Sequence, residues 1–117
     1  MIMNKNMKTA SLTESLIYNE DKPAITVLLK TANTKEIRIV MKKGQVMKEH
    51  RAPFPIVVEI FEGVLNFGVK GEAQLLKKGN LIALEANIPH DLTSIEDCII
   101  RLSVSTADSV QRVQNLA

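Results

Sequence analysis

Aromatic residues are scarce in this chain: there is no tryptophan, one tyrosine (Tyr18) and only three phenylalanines, Phe54, Phe61 and Phe67, among 117 residues. A platform for stacking sugars or nucleobases is hard to build from so few rings. Cysteine is scarcer still. Cys98 stands alone, which excludes an internal disulfide and leaves nothing that points to an oxidising compartment. Within the apolar run Cys98-Ile99-Ile100 a free thiol reads as a small core residue. Neither sign of charge dominates, since fifteen Lys and Arg against thirteen Asp and Glu leave a formal charge of +2. That excess is too small to hold a phosphate backbone, so nucleic acid is not an expected partner. The doublets Lys42-Lys43 and Lys77-Lys78 each precede a glycine and read as solvated turns. Long apolar runs are also missing. No stretch reaches about eighteen consecutive apolar residues, and none of signal length follows Lys5 and Lys8 near the start. No membrane span is expected, and the expected location is the cytoplasm.

What is present is the composition of an ordinary globular domain, 45% hydrophobic and 24% charged, at a length that buries a core without staples. Ser11 and Glu14 have the spacing of a capping box, which predicts a short helix over roughly Leu12 to Tyr18. Asn19-Glu20-Asp21-Lys22-Pro23 then breaks it, because proline lacks an amide donor and biases its predecessor toward extended backbone. The chain divides on this reading into an N-terminal helix and arm (1–23), a barrel (24–106) and a polar, frayed C-terminal tail (107–117).

From Ala24 onward, short runs of β-branched and aliphatic residues alternate with turn chemistry. Strands are expected at 25–30, 36–41, 45–51, 56–61, 64–69, 73–76, 81–84, 91–95 and 98–104. In the second of these, Ile37, Ile39 and Met41 alternate with Glu36, Arg38 and Val40. So many short strands separated by glycine-bearing turns predict an all-β sandwich or barrel whose edges are closed or covered.

Two stretches carry a more specific signal. Gly44, His50, Ala52, Ile56 and Gly63 have the spacing of the first cupin motif, and Gly79 followed by Pro89-His90 and Ser94 has that of the second. The chain thus resembles the cupin superfamily. His-Arg-Ala-Pro, followed later by Phe-Glu-Gly, looks like a subgroup of small single-domain bacterial cupins of the conserved-barrel, cupin 2 type. The resemblance implies a jelly-roll barrel, or double-stranded β-helix, commonly paired as a homodimer, and it carries no substrate across.

In the family, the two motifs supply three histidines and a glutamate to one metal ion. Here only the first and last histidines are matched, as His50 and His90, while Ala52 and Ile56 stand where a histidine and the glutamate would be. Neither replacement can donate a lone pair, and catalytic zinc and iron sites usually keep three protein ligands. Strand alternation turns Glu49 away from His50 and Glu59 away from Ile56, Val58 and Ile60, although a bulge would change that parity.

The retained histidines, with Ala52, Phe54 and Ile56, then outline a mostly apolar ligand site, or else side chains that simply fill the barrel. The preferred function is binding of a small organic ligand near His50 and His90, with no cofactor required and no catalytic residue assigned. The alternative is a metal-dependent oxygenase or isomerase in which His50 and His90 hold zinc, iron, manganese or nickel with an additional ligand. A third reading makes the barrel a filled structural or interaction domain.

Overall fold

The computed structural model describes residues 6–117. Nine strands are found among the described residues: β1 (Ala24–Lys30), β2 (Thr34–Met41), β3 (Val46–His50), β4 (Ile56–Glu62), β5 (Val64–Val69), β6 (Glu72–Lys77), β7 (Leu81–Leu84), β8 (His90–Ser94) and β9 (Cys98–Ser105). They form two antiparallel sheets in the orders β1-β2-β9-β4-β7 and β3-β8-β5-β6, the face-to-face arrangement of a jelly roll. The expected runs match these strands with ends shifted by a residue or two.

Alternation explains which side chains go inside. Ile37, Ile39 and Met41 of β2, Ile56, Val58 and Ile60 of β4, and Cys98, Ile100, Leu102 and Val104 of β9 are buried from the larger sheet. Met47, Leu65, Phe67 and Leu92 meet them from the smaller one. Each such side chain, fully buried, contributes about 1.5–3 kcal/mol from apolar area removed from water. Gly63 makes the β4–β5 turn at φ +95°, and a Cβ there would run into the Asp97 carbonyl and Cys98. Only glycine fits that corner.

The outer face of β2 and β9 is polar but not bare. Arg101 of β9 donates to Glu36 of β2 at 2.7 Å and to Glu59 of β4 at 2.8 Å, and Ser103 donates to Glu36. Beside this ladder Arg38 is buried beneath the N-terminal arm, where Nη1 donates to the Glu14 and Leu12 carbonyls and Nη2 to that of Ser15.

Those bonds account for one correction. The expected helix over Leu12 to Tyr18 does not form; its first turn does. The Ser11 hydroxyl accepts from the Thr13 and Glu14 amides as a cap would, but Ser15 takes φ 55°, and the carbonyls that would continue the helix are bound to Arg38 instead. The helix of the described residues lies at the other end. α1 (Val110–Gln114) falls in the segment expected to fray, is capped by Ser109, and buries Val113 completely.

Candidate functional site

His50 ends β3 and His90 begins β8, and the β3–β8 ladder sets the two residues directly opposite one another. Their rings meet edge to face, with centroids 4.2 Å apart and planes at 64°. Phe67, on the neighbouring β5, stacks almost parallel on His90 at 5.4 Å. His90 faces the interior by ordinary alternation with Leu92 and Ser94, and His50 does so because the β3–β8 register shifts between Met47 and His50. Lys48 and Glu49 together form the outward step of a bulge, so Met47 and His50 both turn inward.

Each imidazole is held the same way. Nδ1 of His50 bonds the Lys48 carbonyl at 2.5 Å, and Nδ1 of His90 bonds the Ile88 carbonyl at 2.8 Å. A carbonyl oxygen only accepts, which assigns the proton to Nδ1 and leaves the Nε2 lone pair for another partner when the ring is neutral. Burial is the largest influence on both rings and pushes both pKa values below the usual histidine range. Their carbonyl partners oppose that effect, while Arg112 reinforces it, as does His90 in the case of His50.

The two rings border a small cavity inside the barrel, lined otherwise by Arg112 and by apolar side chains that include Ala52, Ile56, Val58 and Phe67. The room open to the centre of a water molecule is about 20 Å³, space for roughly one water. Of the site residues read from the sequence, His50, Ala52, Ile56 and His90 line this cavity, and half-buried Phe54 of the 51–55 loop does not. The interior is therefore nearly full, with a polar spot at the histidines.

Three lining residues come from outside the barrel expected at 24–106: Arg112, Val113 and Leu116. They come from α1 and the residues after it, which form one wall of the cavity. Arg112 is fixed by a bidentate pair with buried Asp108, at 2.8 Å and 2.7 Å. The signal was present in the tail, in the capping residue Ser109, the i,i+4 pair Asp108 and Arg112, and Val113 and Leu116 three apart on one face.

The described residues supply fewer protein donors than a resident catalytic metal usually has. Among the described residues, no three His, Cys, Asp or Glu side chains gather closely enough to hold an ion. Glu49 is exposed, Glu59 points outward to Arg101, and Asp91 lies over Gly68. Two imidazoles fall short of the usual three protein ligands. Cys98 is likewise core, fully buried with its thiol donating to the Val64 and Glu96 carbonyls.

No family model matches the sequence, and no curated protein matches it. Solved structures match the fold closely. A double-stranded β-helix protein from Klebsiella pneumoniae superposes with a TM-score of 0.80 at 15% identity, covering 93% of both chains. A conserved protein of unknown function from Streptococcus pyogenes gives 0.73 at 23% identity, over 92% of this chain and 93% of the other. A cupin 2 conserved barrel domain protein from Leptotrichia buccalis gives 0.70 at 27% identity, over 78% of this chain but only 44% of its own length. With its two antiparallel sheets and these neighbours, the chain has the fold of a small, single-domain cupin.

Proposed function

We propose that the protein binds a small organic ligand inside the barrel, against His50 and His90. The observation that carries this reading is the pair of imidazoles, buried at His90 and half-buried at His50, each with Nδ1 tied to a carbonyl and Nε2 left for a partner, in a cavity whose other lining is apolar apart from Arg112. A few convergent polar groups on an apolar lining orient a small molecule without demanding a cofactor. A ligand that donates a hydrogen bond to Nε2 and presents an apolar body fits that lining. Thermal shift against a panel of small metabolites tests it, because a ligand selective for the folded state raises Tm by mass action. Loss of the shift in His50→Ala, His90→Ala protein supports the site; no shift with any compound, or a shift unchanged in that variant, overturns it.

One observation favours a second reading. Metal-ligating histidines commonly donate their other ring nitrogen to a carbonyl, as both of these do. On that reading the protein is a metal-dependent enzyme in which substrate or water completes the ligand set. Metal analysis after reconstitution with zinc, iron, manganese or nickel decides it, and a stoichiometry below about a tenth of an equivalent ends it. Either reading takes the protein to be a cytoplasmic homodimer, for which the lone Cys98 and the exposed Val57 and Leu81 are the supporting features.

A further inference from the structure

We infer that the C-terminal segment, residues 108–117, is a displaceable stopper that controls access to the histidine pair. The inference rests on the ligand-binding reading for its purpose and adds how the site is reached. The cavity is only partly enclosed but has room for roughly one water, so an organic ligand is accommodated only if part of the wall moves. Arg112, Val113 and Leu116 are the lining residues that belong neither to the barrel strands nor to the 51–55 loop. Every other strand-borne lining side chain is locked into a hydrogen-bonded sheet.

The segment is built to come away as a unit. α1 is five residues long, far too short to be stable alone, so it persists only through what it packs against. Past Asp108, its attachments to the barrel are Val113 and Leu116 on the cavity; Asp108 itself is anchored, its carbonyl accepting from the Lys35 ammonium of β2 and its amide donating to the Ser105 carbonyl, while the Asp108–Arg112 pair joins the helix to that anchor and not to a strand. That pair keeps the turn before the helix and the helix together, with the buried Asp108 carboxylate also accepting from the Ser109 amide. On the side toward the arm, an open groove lies between Gln111, Gln114, Asn115 and Ala117 and the stretch from Asn19 to Ile25. Water already reaches that flank, and movement there breaks no sheet ladder.

Diethyl pyrocarbonate acylates neutral imidazole nitrogen, so its reaction with Nε2 of His50 and His90 reads access directly. The experiment follows acylation of each histidine by peptide mass spectrometry, alongside amide exchange at Ile100, in the wild type, in Asp108→Asn and in a chain ending at Ala107. The expected result is slow acylation in the wild type and at least about ten-fold faster acylation in Asp108→Asn, with Ile100 exchange unchanged. Should the truncated chain fail to fold, Asp108→Asn alone carries the test. Acylation that stays at the wild-type rate in Asp108→Asn, or that rises only together with Ile100 exchange, overturns the stopper. The two proposals separate cleanly: faster acylation with no metabolite shifting Tm sinks the ligand reading and keeps the stopper, whereas a bound ligand with unchanged acylation does the reverse.

Discussion

Burial favours the uncharged ring at both His50 and His90, and the nearby Arg112 guanidinium disfavours a further positive charge there. In the unfolded chain each ring takes up a proton near pH 6.5, approximately, and in the folded chain only at lower pH. Between those two values the unfolded chain binds more protons, so stability falls as pH drops below about 6.5 and the loss levels off once the lowered folded value is passed. Tm followed by calorimetry from neutral to mildly acid pH should show that decline, and His50→Gln, His90→Gln protein should show a flatter one. An equal slope in both would place the acid sensitivity elsewhere. Phe67 is the other residue on which the site leans, since it fills the centre of the core and stacks on His90. Phe67→Ala should cost about 3–5 kcal/mol in urea unfolding, the usual loss when a fully buried ring leaves a cavity. Of these residues the histidines were legible from motif spacing alone. Phe54 drew attention by lying near them in sequence, whereas Phe67 was readable only from the alternation of Leu65, Phe67 and Val69, which needs the strand's inward face to be known.

The strands were legible as elements because their apolar period of two and their glycine turns agree. The ends of the chain were not, and the reason differs at each. At the N-terminus a genuine capping signal starts a turn that a tertiary contact then diverts: Arg38 claims the Leu12, Glu14 and Ser15 carbonyls. No local pattern reveals a competitor more than twenty positions away. At the C-terminus the helical signal was short, and polar composition outweighed it. Arg38→Ala should therefore release the arm while leaving the sheets intact. Limited proteolysis should then cut between residues 12 and 22, and urea unfolding should show a loss of about 1.5–3 kcal/mol for the charged donor removed. An arm that stays protected in that variant would mean that other contacts hold it.

Across the whole molecule, the larger sheet presents an outer face on which Glu36, Arg101 and Glu59 form a ladder, with exposed Val57 and Leu81 on the adjoining strands. If a second copy covers that face, Leu81→Asp should convert dimer to monomer in sedimentation velocity without changing the circular dichroism of the fold; a variant sedimenting as the parent does would move the interface elsewhere. The jelly-roll plan itself was visible in the sequence, but the nearly full interior was not, because how tightly side chains from facing sheets interlock depends on distances no pattern encodes. One detail of that interior has wider reach. A single surplus residue in β3 decides that an imidazole rather than the carboxylate of Glu49 looks toward His90. Straightening that strand by one position would trade one for the other, so an acid–imidazole couple lies a single backbone slip from the arrangement described, stored in adjacent letters of the same strand.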